Sequence, residues 1–137
     1  MNPESIINKT VIEKIAECNF FNHLGIKATN VGNGIVEATI ILKDEYRQHL
    51  GIAHGGLICT IADSVAGFAA ISVTPSEYEV ATVELKISFL KPAKGLELYA
   101  KGWVIKKGRA FHFCEAEVWD EEILVAKVST TMAVLKK

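Results

Sequence analysis

The sequence predicts an α+β fold in which one curled, mostly antiparallel sheet wraps one long central helix, and three observations carry that reading. The first is the run from Gln48 to Val73, QHLGIAHGGLICTIADSVAGFAAISV, polar and glycine-rich at its start and then the most apolar stretch of the chain. From Leu57 on it has no Pro and a single Gly, and it is apolar almost all the way round, as a buried helix is. The second is strict alternation downstream: Val83, Leu85, Ile87 and Phe89 against Thr82, Glu84, Lys86 and Ser88, the period of a strand. The third is punctuation after that strand, which divides the rest of the chain into strands joined by short turns.

Each element follows in order. Pro3 to Cys18 carries Ile6, Ile7, Val11, Ile12, Ile15 and Ala16 on one side and Glu4, Asn8, Lys9, Glu13, Lys14 and Glu17 elsewhere, which predicts an amphipathic N-terminal helix over residues 1–18. After Phe20 and Phe21, Leu24 to Thr29 is a short strand, and the turn Gly32-Asn33-Gly34 opens a second, Ile35 to Leu42. Lys43 to His49 is a polar loop feeding the central helix, placed at about 55–73, and Thr74 to Glu79 turns the chain after it. A four-strand region follows over 80–135: Val80 to Phe89, Leu96 to Ile105, Ala110 to Trp119 and Ile123 to Leu135. Pro92 and Gly95, the tip Lys106-Lys107-Gly108-Arg109, and Asp120-Glu121-Glu122 separate them. The third of these strands puts Phe111, Phe113 and Trp119 on one face and His112, Cys114, Ala116 and Val118 on the other. Apolar side chains on both faces predict that another subunit covers part of the outer surface.

At 137 residues the chain suits a single domain, 1–137, with a real hydrophobic core. A net charge of −1 and a pI near 6.4 give no basic field for nucleic acid and no polybasic tract for a membrane surface. The opening MNPESIINKTVIEKIAECN has early acids and no continuous apolar core, unlike a signal peptide. Cys18, Cys59 and Cys114 are odd in number and scattered, with no metal-ligand spacing, so reduced thiols in a cytoplasmic protein are expected and no metal or cofactor. The central run is marginally short for a membrane span and holds an acid near its middle, so a core helix is the better reading.

That acid, Asp63, is the chemical feature of the helix. Thr60, Asp63, Ser64 and Gly67 recur at i, i+3, i+4 and i+7 and line one face, where small groups let something approach. A structural, hydrogen-bonded Asp and a functional carboxylate are both compatible with the helix alone. At the helix start, His54-Gly55-Gly56 offers backbone N–H groups without intrahelical partners at the positive end of the dipole, unobstructed by side chains. A carbonyl oxygen there would be polarised, at a value of about 3–4 kcal/mol for a developing oxyanion. The glycines also suit a tight entry turn.

The run HLGIAHGGLICTIAD, followed by VATVELKISFLKPAKG, resembles the hotdog-fold acyl-CoA thioesterases of the phenylacetic-acid-degradation (PaaI-like) type across residues 20 to 135. The resemblance implies hydrolysis of acyl-CoA to free acid and coenzyme A, with coenzyme A as part of the substrate, and an oligomer built on a dimer and extended to a tetramer. It implies Gly55 as the backbone oxyanion donor, Asp63 as general base or nucleophile, Gln48 contacting the thioester or the water, and Thr82 orienting the water or the acid. His54 either holds the loop or takes part in the chemistry. Lys106, Lys107 and Arg109 are candidates for coenzyme A phosphate, against the plainer reading of a solvated tip. A dehydratase of the same fold would need a His-Phe-Pro-Gly-like entry, which is absent, and a non-catalytic acyl-CoA-binding module remains the alternative. Spacing adds one constraint: the eight residues from Gly55 to Asp63 span about 12 Å of helix, too far for both to act on one carbonyl from one chain. Two helices side by side across a two-fold axis would bring Gly55 of one to Asp63 of the other.

Overall fold

The computed structural model describes residues 3–137, with side chains described from residue 9 onward. Helix α1 (Pro3–Glu17) leads through a short helix α2 (Asn19–His23) to strands β1 (Lys27–Gly32) and β2 (Ile35–Ile41). A 3₁₀ turn at Asp44–Tyr46 precedes the central helix α3 (Gly55–Ser72), followed by β3 (Tyr78–Phe89), β4 (Glu97–Lys107), β5 (Phe111–Asp120) and β6 (Ile123–Lys136). The six strands form one sheet in the order β1-β2-β4-β5-β6-β3, each neighbouring pair antiparallel. The predicted class and the central helix are therefore as observed. Helix α2 and the 3₁₀ turn are additions.

Two sequence expectations need correction. Lys106 and Lys107 extend β4, so the β4–β5 tip is confined to residues 108–110. More consequentially, β3 and β4 do not form a hairpin: β3 lies at the far edge beside β6, and β4 lies beside β2. Residues 90–96 carry the chain back across the end of the sheet. Their backbone is tied down by Leu90 N–H to Val125 O (2.8 Å), Ala53 N–H to Ala93 O (2.9 Å) and Leu42 N–H to Leu96 O (2.7 Å). The buried Asp120 carboxylate completes the anchor, accepting from the amides of Lys94 (3.0 Å) and Gly95 (2.9 Å).

Helix α3 is long and apolar enough to cross a membrane, but here it is the core element. Leu57, Ile58, Ile61, Ala62, Val65, Ala66, Phe68, Ala69 and Ala70 are buried against the sheet. The inner face of the sheet carries small residues under the helix: Ala38 pairs with Ala100, and Gly102 with Ala116. Gly102 is where contact is tightest, since a Cβ there would lie 2.5 Å from the backbone of Val65 and Ala66. The helix end is latched to the β1–β2 turn, the Gly34 amide donating to Ser72 Oγ at 2.7 Å.

Helix α1 lies over α3 and β1, and its stripe is narrower than expected. Val11 and Ile15 are buried, but Ile12 is 55% exposed and Ala16 is exposed. The side chains of Glu4, Ile6, Ile7 and Asn8, to which the sequence assigns faces, lie outside the described residues. On β5 the alternation holds: His112, Cys114, Ala116 and Val118 are buried, while Phe111 and Phe113 are each 45% exposed on the outer face.

Candidate active site

The start of α3 resolves the role of its first donors one by one. His54 occupies the N-cap with extended backbone, and its Nδ1 accepts from the Gly56 amide at 2.8 Å. Leu57 and Ile58 donate to the His54 carbonyl at 3.0 and 3.2 Å. Among the described residues, the Gly55 amide is left without an acceptor. A free N–H at the positive end of an 18-residue helix is the group that a carbonyl oxygen or oxyanion would take. His54 acts here as the cap, with a side-chain nitrogen in the place more often held by Ser, Thr, Asp or Asn.

The loop before the helix brings Gln48 to the same place. Its main chain closes a tight turn, donating to Ile52 O and accepting from the Gly51 amide, both at 2.9 Å; Gly51 has φ +81°, a region that favours glycine. The Gln48 side-chain oxygen accepts from the Leu50 amide, which directs the amide nitrogen's two protons elsewhere. Arg47 clamps the loop by donating to the carbonyls of Leu42, Gly51 and Gly95. Gln48, Gly55, Ile58, Phe89 and Lys91 then line one cavity of about 340 Å³. The Phe89 ring lies over Gly55, 3.1 Å from where a Cβ would stand, so glycine keeps the approach open. Phe89 was not picked out as a site residue by sequence pattern, because nothing in the alternation of β3 marks its last residue as facing the helix start.

Asp63 sits two turns further along α3, on its partly exposed stripe with Thr60, Ser64 and Gly67. The Thr60 and Ser64 hydroxyls bond back to the carbonyls of Gly56 (2.9 Å) and Thr60 (2.7 Å), so they serve the helix itself. The Asp63 carboxylate is instead held from β3: Thr82 Oγ1 donates to Asp63 Oδ1 at 2.8 Å. Met132 Sδ lies 3.2 Å from the same hydroxyl, which has one proton and a far better acceptor in the carboxylate. Burial and the Asp63 charge push the neighbouring Cys59 thiol above its ordinary range, so that thiol stays protonated and weakly nucleophilic.

Within one chain the predicted residues thus form two groups. Gln48, His54 and Gly55 gather at the helix start, and Asp63 with Thr82 forms a second group mid-helix. Lys107 and Arg109 lie by the opposite end of α3, around Pro75 and Tyr78, and Lys106 is exposed. The Tyr46 hydroxyl, a candidate for an acyl pocket, donates to Leu24 O at 2.7 Å and is occupied there. Buried His112 is structural: Nδ1 accepts from the Gly108 amide (3.1 Å) and Nε2 meets Thr74 Oγ1 (2.9 Å). Among the described residues no three His, Cys, Asp or Glu side chains gather as a metal would need.

Comparison with known proteins bears on this arrangement. The sequence profile of the thioesterase superfamily matches residues 50–127, a span that includes the helix start and Asp63. An esterase-named protein of Saccharolobus solfataricus is 33% identical over 102 residues, covering 74% of this chain and 72% of the relative. The 1,4-dihydroxy-2-naphthoyl-CoA hydrolase of Escherichia coli is 22% identical over 116 residues, 85% of each chain. A thioesterase family protein of Silicibacter pomeroyi superposes with a TM-score of 0.91 at 27% identity, over 96% of this chain and 99% of that one.

Proposed function

Because the chain belongs to the thioesterase superfamily, with the hotdog fold of a curled sheet around one helix, we propose that it hydrolyses an acyl-CoA thioester to the free acid and coenzyme A at two sites shared between two copies of the chain. The observation that carries this is the pairing of chemistry along α3: one amide without an acceptor at Gly55, and one carboxylate held by Thr82 at Asp63. The two are eight residues apart, about 12 Å along the helix. A carboxylate that attacks the carbonyl, or the water that it activates, must lie within about 3 Å of the acceptor carbon.

A second copy supplies what one chain lacks. β3 is an edge strand of 12 residues with Ala81, Thr82, Val83 and Glu84 exposed, and the open stripe of α3 lies beside it. Such an edge is a template for antiparallel pairing with a second copy. Two-fold pairing there sets the two α3 helices alongside, with Gly55 of each facing Asp63 of its partner. In the reaction the thioester oxygen accepts from the Gly55 amide, with the Gln48 side-chain amide beside it. The partner's Asp63 either takes a proton from the attacking water or attacks the carbonyl carbon to form an anhydride that water opens. Both routes need the ionised carboxylate, and both release coenzyme A as the thiol. The half-exposed Phe111 and Phe113 support a further, back-to-back contact that makes a tetramer.

The test is thiol release from a panel of acyl-CoA esters by the wild-type protein and by Asp63→Asn. Asn keeps the shape and the Thr82 contact and removes the charge, so turnover should be lost while circular dichroism and oligomeric state are unchanged. Retained activity in a folded Asp63→Asn protein would remove Asp63 from the chemistry.

A further inference from the structure

Strand β3 uses two of its side chains against α3: Thr82 Oγ1 donates to Asp63 Oδ1 at 2.8 Å, and the Phe89 ring lies over Gly55. Seven residues separate them, and in a strand of unbroken alternation an odd separation puts two side chains on opposite faces. Core packing has the same mismatch. Val80 packs on the core at one end of the strand, and Leu85 and Ile87, each an odd number of residues away, pack on it at the other. Counted back from Leu85, an unbroken strand would turn Val83 and Ala81 to the helix. Thr82 would then point outward with the exposed Glu84, Lys86 and Ser88.

The reversal happens at one residue. β3 pairs with β6 as Thr82 with Met132 and next as Glu84 with Thr131, so Val83, 57% exposed, is the extra residue of a β-bulge. A bulge disrupts its ladder locally, and here a side chain of the partner strand ties it down. The buried Thr130 hydroxyl donates to the Glu84 carbonyl at 2.8 Å. Thr130 shares the inner face of β6 with the buried Met132, whose Sδ lies 3.2 Å from the Thr82 hydroxyl. Its neighbours across the sheet, Leu85 and Cys114, offer it no strong acceptor, so the bulge carbonyl is what satisfies the hydroxyl in this layer.

We propose that Thr130 is a positioning residue for the reaction: by holding the bulge at Val83 it keeps Thr82 turned toward α3, and Thr82 in turn orients Asp63. The inference rests on the thioesterase reading above. Because Thr130 acts on Asp63 through Thr82, its effect on turnover is separable from a general effect on stability.

The experiment is steady-state thiol release by Thr130→Val, by Thr130→Ser and by Thr130→Val combined with Thr82→Val, using the acyl-CoA ester that the wild-type protein turns over fastest. Hydrogen exchange at the Val83 and Glu84 amides is followed alongside. Losing one neutral hydrogen bond that fixes a geometry should lower kcat about five- to tenfold, with KM within about twofold of wild type. Thr130→Ser keeps the donor and should bring kcat back to within about twofold. In Thr82→Val the link is already cut, so adding Thr130→Val should change kcat by less than about twofold; a residue that only stabilises the fold would lower it equally in both backgrounds. Exchange at the bulge should quicken roughly tenfold in Thr130→Val. Thr130→Cys, a weak donor with the shape of serine, replaces Thr130→Val if that variant does not fold, with the same expected fall. The positioning role alone is overturned by a kcat within twofold of wild type without the donor, a fall that Thr130→Ser does not recover, an equal fall in Thr82→Val, or unchanged exchange at the bulge. No release from any ester by the wild-type protein overturns the thioesterase reading, and this inference with it.

Discussion

Replacing Thr82 with Val probes the side chain that hydrogen-bonds the Asp63 carboxylate. Val has nearly the shape of Thr and lacks the hydroxyl that donates to Asp63 Oδ1 at 2.8 Å. A hydrogen bond to a charged group contributes about 1.5–3 kcal/mol, and in the proposed reaction this one fixes the rotamer that presents the second carboxylate oxygen to the substrate. Lost from the transition state, that converts to a fall in kcat/KM on the order of 10- to 150-fold. Thr82 is exposed in the single chain, so water can replace its contacts and folding stability should change by less than about 1 kcal/mol. Thr82→Ser restores the donor and should recover most of the activity. The assay is steady-state thiol release at saturating and limiting acyl-CoA, with sedimentation to confirm that the assembly is intact. A Thr82→Val enzyme within twofold of wild type would refute the idea that this bond orients the catalytic carboxylate.

Two further predictions concern the scaffold. Gly102→Ala places a Cβ against the backbone of Val65 and Ala66, which cannot move aside as a side chain can; it should cost about 1–3 kcal/mol and lower Tm by roughly 4–12 °C, and an unchanged Tm would mean that α3 lies further from the sheet. Burial, with the Lys107 ammonium nearby, holds the His112 imidazole below its ordinary value of 6.5. The unfolded chain therefore takes up a proton first on acidification, and the stability that neutral His112 contributes is present above about pH 6.5 and is lost as pH falls below it. Tm measured at pH 7.5 and pH 5.5 should fall less in His112→Gln than in wild type, and equal falls would remove His112 as the cause.

What the sequence revealed and what it hid divide along physical lines. The central helix was legible because burial around most of its circumference leaves a long apolar run, and Asp63, on the partly exposed stripe, stood out against it. The Gly55 amide was accessible because a helix start leaves donors without partners, whereas the Thr82 hydroxyl was reached only through the family resemblance. The position of β3 was not legible. Strand order is set by long-range pairing, and an alternating strand reads the same beside β6 as beside β4. Gly102 was hidden for a related reason: a lone glycine in a strand marks close approach only when the element above it is known. The cavity of about 310 Å³ between Ile71 of α3 and Val80 of β3 likewise arises from two elements whose side chains read separately as ordinary core.

The central claim is that each site is built from two chains, and mixing two inactive parents measures it directly. Gly55→Pro removes the N–H that has no acceptor among the described residues, at the first helix position, where the extended His54 backbone (φ −64°, ψ 135°) suits a following proline. Its ring also presses on Phe89, 3.1 Å from the Cβ position, so this parent loses both the donor and the open approach. That parent should lose roughly 100- to 1000-fold in kcat, and the Asp63→Asn parent should lose its turnover. A hybrid dimer contains one site with both defects and one with neither. An equal mixture at full subunit exchange, monitored by native mass spectrometry, should therefore regain about a quarter of wild-type activity. Exchange without recovery would contradict the shared site.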